Sequence, residues 1–153
     1  MRALVRVTLL AVVVSLGLGL GLTACRLNPM ERPTVKVTGV TVGSISFTGV
    51  DGVVDLSIYN PNAVGLPLEA MAWRLTVSGQ SAVTGRAELA DTIPARQNAS
   101  VRARIHIGAG AAPALASAIA GGAVTYHLDA TFTFRTQIGA LSVETSTDGT
   151  LRR

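Results

Sequence analysis

The chain has 153 residues, with 13 Lys and Arg against 9 Asp and Glu, and one cysteine. That length fits one domain, and a single thiol excludes an intrachain disulfide framework. A net charge of +4 with no basic cluster interleaved with aromatics argues against a nucleic-acid partner, and 4% aromatic residues leave the core to aliphatic side chains.

Mean hydropathy is +0.45, and much of it comes from the first two dozen residues. Arg2 and Arg6 precede an apolar run from Val7 to Leu22, which is followed by Leu22-Thr23-Ala24-Cys25. A basic start, an apolar stretch and small residues at a cleavage point form a secretory signal. The last four residues resemble the bacterial lipoprotein lipobox. That resemblance implies diacylglyceryl attachment at the Cys25 thiol, cleavage before it and acylation of the new amino terminus. The other reading is an uncleaved signal anchor, since the run approaches the ~18 residues needed to span a bilayer. The expected organisation is a signal peptide over 1–24, a lipidated Cys25 and polar tether over 25–33, and one folded domain over 34–153. Asn28, Pro29, Glu31, Arg32 and Pro33 make up the tether, which would lift the domain off the bilayer. Arg26 stands where a retention signal would have Asp in Gram-negative systems, so the expected location is the cell envelope, and in a Gram-negative envelope the periplasmic face of the outer membrane. Losing Arg2 and Arg6 leaves an unremarkable charge.

Thr34 to Thr41 reads as a strand, interrupted at Gly39, and Ser44 to Thr48 as a second. Asp51-Gly52 reads as a turn. Val54, Leu56 and Ile58 then alternate with Asp55, Ser57 and Tyr59, the period of a strand with one face in a core. Asn60-Pro61-Asn62 ends it, because Pro61 has no N–H for a ladder and both asparagines suit a turn. Leu66-Pro67-Leu68 reads as an edge segment or the opening of a strand. Met71, Trp73, Leu75 and Val77 form the inner face of the next strand. Trp73 could line a groove, but in phase with Leu75 and Val77 it reads as core. Ser78-Gly79-Gln80 turns the chain, and Ala82 to Leu89 returns it, with Gly85 a bulge or a close approach. Asp91 to Asn98 reads as a loop.

Val101, Ala103, Ile105 and Ile107 alternate with Arg102, Arg104 and His106. This basic row could bind phosphate or lipid headgroups, or serve as a solvated stripe that discourages edge pairing. Ala111 to Ala120 is the helical candidate, with Pro113 in its first turn and Gly121-Gly122 as its stop. A long strand follows from Ala123 to Phe134, then a turn over Gln137 to Ala140 and a last strand from Leu141 to Thr147. Seven or eight short strands and one helix make a mainly β, immunoglobulin- or fibronectin III-like antiparallel sandwich.

Several of these segments together resemble the late embryogenesis abundant type 2 proteins and their water-stress and hypersensitive-response (WHy) domain. They are Asn60-Pro61-Asn62 after a hydrophobic strand, Leu66-Pro67-Leu68, the turn at Gly79, Gly85, and Thr92-Ile93-Pro94-Ala95. The resemblance implies a folded β domain with a stress-associated role and no reaction.

His106, His127 and Asp129 could form a metal site only if two polar strand faces were adjacent, and exposed histidines are the commoner explanation. Asp51 and Asp55 read as turn and solvent-face residues. No nucleophile elbow or phosphate-cradling Gly-rich loop is present, so the expectation is a non-enzymatic protein without a cofactor. Its partners would be the membrane, through acylated Cys25, and protein clients or lipid headgroups. A carrier for a small apolar ligand or lipid, or an envelope adaptor, are the alternatives.

Overall fold

The computed structural model describes residues 30–79, 82–122 and 124–151. The expected signal peptide and the expected lipidation site at Cys25 lie outside the described residues. Seven strands and one helix follow in the order β1 (Thr34–Ser46), β2 (Gly49–Tyr59), β3 (Leu66–Val77), β4 (Val83–Ile93), β5 (Asn98–Gly108), α1 (Ala112–Ala120), β6 (Thr125–Thr136) and β7 (Gly139–Thr150). They form two antiparallel sheets, β1-β2-β5 and β4-β3-β6-β7. This is the expected β-sandwich. The fourth strand joins β3 rather than β5, which separates it from the immunoglobulin constant-type arrangement.

The alternating strands meet as their periods require. Val54, Leu56 and Ile58 from β2, Val101, Ala103 and Ile105 from β5, and Leu128, Phe132 and Phe134 from β6 are all buried. Trp73, Leu75 and Met71 join them from β3, so Trp73 is a core residue. Leu115 and Ala112 of α1 are buried where the helix carries the chain from one sheet to the other between β5 and β6.

Five local expectations are corrected. The first two predicted strands are one, β1, whose ladder with β2 slips between Val37 and Gly39 and between Val42 and Ile45. Bulges absorb the Gly-rich interruptions without ending the strand, and they blunt a free edge. Asp51-Gly52 lies inside β2, and the turn falls at Phe47-Thr48. Leu66 to Val77 is a single strand, and β3 is central, not an edge. Pro67 is tolerated because it sits at the strand's opening, paired only with Thr92 of β4, ahead of the first β6 pair at Leu68–Phe134. A register shift between Leu68 and Ala70 then inserts one extra residue against β6. That residue switches the inward set from Leu66 and Leu68 to Met71, Trp73, Leu75 and Val77. Finally, β4 continues to Ile93, so the predicted loop shrinks to Pro94–Gln97. The last strand likewise runs through Asp148-Gly149 to Thr150.

Both direct crossings between the sheets, β2 to β3 and β4 to β5, occur at one end of the sandwich. The β6–β7 turn and the start of β1 share that end. This is the proximal end, where the chain enters β1. The β1–β2 and β3–β4 turns and α1 lie at the distal end.

Candidate functional site

The Asn-Pro-Asn segment is the best-connected polar feature of the molecule. Asn60 is the one fully buried polar side chain among the described residues. Its Nδ2 donates to the carbonyls of Val64 (2.8 Å), Ile93 (3.1 Å) and Pro94 (3.2 Å), and its Oδ1 accepts from the Asn62 backbone and side-chain amides at 3.0 Å. Its own N–H reaches the Gln97 carbonyl. One side chain therefore ties the β2–β3 crossing to the β4–β5 crossing, satisfying backbone groups that no ladder can reach. Pro61 holds the turn, and Ile93 and Pro94 present the carbonyls that Asn60 reads.

Asn62 extends the network outward. Its Oδ1 accepts from the Glu31 N–H and its Nδ2 donates to the Glu31 carbonyl, both at 2.8 Å. A side-chain amide thus imitates a paired peptide and fixes the segment ahead of β1 to the proximal rim. Arg96, at φ 55, donates its N–H to the Asn62 carbonyl. Leu66 and Leu68 are core, Gly79 (φ 72) follows Ser78 (φ 47) in the β3–β4 turn, and Gly85 pairs in regular register with Trp73, so it marks a close approach and not a bulge.

The basic row of β5 is on the outer face of the three-stranded sheet, where β2 sets carboxylates opposite two of its members. His106 Nδ1 lies 2.8 Å from Asp51 Oδ1, and Arg102 Nε lies 3.2 Å from Asp55 Oδ1. The hydrogen bond from His106, helped by one from Ser44, holds the Asp51 carboxyl below its ordinary 3.8. Arg104 faces Val53. It lines an open depression of about 490 Å³ with Ser44, Asp51 and His106. The row is therefore a ladder in which two members face carboxylates and Arg104 faces none among the described residues, and not the uniformly positive stripe the sequence implies. Asp51 belongs to that ladder and not to a turn.

His127 is on the other sheet, so it and His106 do not converge. Its Nδ1 is 2.7 Å from Asp148 Oδ1, and its Nε2 is 3.3 Å from Asp129 Oδ1 and from Ser146 Oγ. The Asp148 hydrogen bond, opposed by desolvation and aided by the charges of Asp148 and Asp129, raises its pKa above 6.5. A raised folded-state pKa adds stability that is fully present below pH 6.5 and lost as pH rises through the folded value. The group is open to solvent, so the expected fall in Tm between acid and mildly alkaline pH is small. His127→Gln should flatten that slope in a pH series of thermal melts, and an unchanged slope would refute the assignment.

Large apolar side chains are exposed at both ends. At the distal turn, Phe47 is 104% exposed and Ile45 40%; at the proximal end, Ile138 is 90% exposed, Val64 45% and Tyr59 40%. Period counting sets Tyr59 on the outer face of its strand, but it misses Phe47, Val64 and Ile138 because turn residues belong to no face.

A profile for the late embryogenesis abundant protein family, LEA_2, matches residues 55–149. The chain belongs to the LEA_2 family. The match spans β2 to β7 and takes in the Asn60 network, the Trp73–Gly85 pair and the His127 cluster. The LEA_2 sandwich is similar to the solution structure of AT1g01470 from Arabidopsis thaliana, with TM-score 0.65 and 16% identity over 81% of this chain and 83% of that one. It is also similar to the solution structure of the LEA-like protein At2g46140.1, with TM-score 0.54 and 20% identity over 83% and 74%. A crystal structure of a protein from Archaeoglobus fulgidus follows, with TM-score 0.55 and 10% identity over 78% and 94%. At these identities the likeness is one of fold. No curated protein matches the sequence. None of these descriptions brings a reaction to the LEA_2 domain.

Proposed function

We propose that this chain is a non-enzymatic envelope lipoprotein, tethered through acylated Cys25, whose WHy-type LEA_2 domain protects proteins or membranes during desiccation or other stress. The observation that carries this reading is the LEA_2 match across most of the sandwich. A folded sandwich of two packed sheets cannot act as a solvating polymer, so its protection runs through its surface. The β1–β2 tip supplies a client contact at the end away from the tether. An aromatic ring held entirely in water there is offset only when an apolar segment covers it.

The test uses the full chain in vesicles beside a client enzyme that is dried and rehydrated. Recovered activity should exceed that given by an equal mass of inert protein, and Phe47→Ser should remove most of the excess without lowering Tm. Equal recovery with the inert protein would sink the protective function; undiminished recovery with Phe47→Ser would sink the tip's part in it. The anchor is read separately, from the mass of the N-terminal peptide carrying Cys25.

A further inference from the structure

The tether and a second group of exposed apolar side chains meet at the proximal end. Met30, Val64, Arg96 and Gln137 line one depression there, and Met30, Val64 and Arg135 line its neighbour. Ile138 follows Gln137 in the β6–β7 turn and is 90% exposed. Arg96 is exposed, and Arg135 pairs with Glu69 yet keeps 72% of its side chain in solvent.

We propose that this end is a bilayer-docking face, with Val64 and Ile138 entering the boundary between headgroups and acyl chains and Arg96 and Arg135 meeting lipid phosphates. The proposal rests on the reading of Cys25 as the lipid anchor. The length of chain between that anchor and the domain is its first support. Met30 is the fifth residue after Cys25. Even fully extended, five residues span no more than ~18 Å. The tether therefore keeps the rim against the surface, in contrast to the stand-off expected from its polar composition. Asn62 reinforces this by clamping Glu31 to the same rim. The second support is composition, because apolar tips flanked by arginines suit the interfacial zone, where guanidinium groups reach phosphate while neighbouring side chains leave water. The distal tip differs: Thr41 to Val50, around Phe47, contains no Lys or Arg.

The experiment places tryptophan at either end of the full chain, as Ile138→Trp and as Phe47→Trp. Each variant is reconstituted in vesicles of phosphatidylethanolamine and phosphatidylglycerol with brominated acyl chains. Trp73 is buried and common to both, so its emission is subtracted with the unsubstituted protein. Ile138→Trp should shift to the blue and lose most of its emission, while Phe47→Trp stays unquenched. Equal exposure of both probes to water, or quenching at Phe47→Trp alone, overturns the docking face. The mass of the Cys25 peptide from the same samples separates the two readings. Acylated Cys25 with an unquenched Ile138→Trp removes the docking face and keeps the anchor. Unmodified Cys25 with a quenched Ile138→Trp does the reverse.

Discussion

Asn60→Ala should lower the folding free energy by about 3 kcal/mol, read as a fall in the urea midpoint at unchanged m-value. The figure follows from what alanine leaves behind. The Ile93 carbonyl loses its side-chain donor in a buried setting, and those of Val64 and Pro94 lose theirs in half-buried ones. The Asn62 amides also lose their acceptor. A buried polar group left without its partner costs roughly 1–3 kcal/mol, and the half-buried ones less because water can reach them. Against a total stability of about 5–15 kcal/mol, that loss is large for one surface-loop motif. Asn60→Asp is the sharper variant. It keeps the acceptor for Asn62 but turns a donor into a buried anion facing three carbonyls, so it should be worse than alanine. Asp as mild as the wild type would show that the carbonyl contacts contribute nothing.

Gly85→Val should destabilise by about 2–3 kcal/mol and shift the emission of the single tryptophan to the red. Trp73 sits opposite Gly85 in the β3–β4 ladder, and its indole lies over the glycine. A Cβ added there would fall 2.6 Å from Trp73 Cε2, a separation that side chains do not tolerate. Replacing a strand glycine ordinarily gains ~0.5–1 kcal/mol from a less free unfolded chain. Here the indole would have to leave a core in which it is 4% exposed. Overpacking a fitted core costs roughly 1–3 kcal/mol, so the clash outweighs the entropy. Gly108→Ala is the control, because an added Cβ meets nothing within 4 Å there. If Gly85→Val matched that control, the indole's position over the glycine would be wrong.

The fold was legible where one rule acted alone. Strands β2, β5 and β6 alternate without interruption, and each buries the residues that its period selects. Reading failed where two local signals competed. Asp51-Gly52 carries the strongest short turn signal, yet β2 has already begun, because its in-phase Val50, Val54 and Leu56 fix the register through burial. In β3 the parity change between Leu68 and Met71 was visible as letters, but reading it as a bulge requires knowing that neighbours flank the strand on both sides. The polar site was legible by position and not by partner. Arg102, Arg104 and His106 were visible as a row. The pairs Asp55–Arg102 and Asp51–His106 join residues 47 and 55 apart, and only the sheet order brings them together. Asn60 was marked by the motif, but its acceptors at Ile93 and Pro94 lie more than thirty residues on.

The direction of the outer strands has a mechanical consequence. β1 leaves the proximal end and runs away from it, and β7 finishes at the opposite end beside it. A pull between the two ends of the domain would slide β1 along β2 and β7 along β6, so that each ladder resists in shear with its hydrogen bonds loaded together. The Asn62–Glu31 clip takes the first of that tension. The sandwich is therefore built to act as a stiff strut under a load applied between the start of β1 and the end of β7.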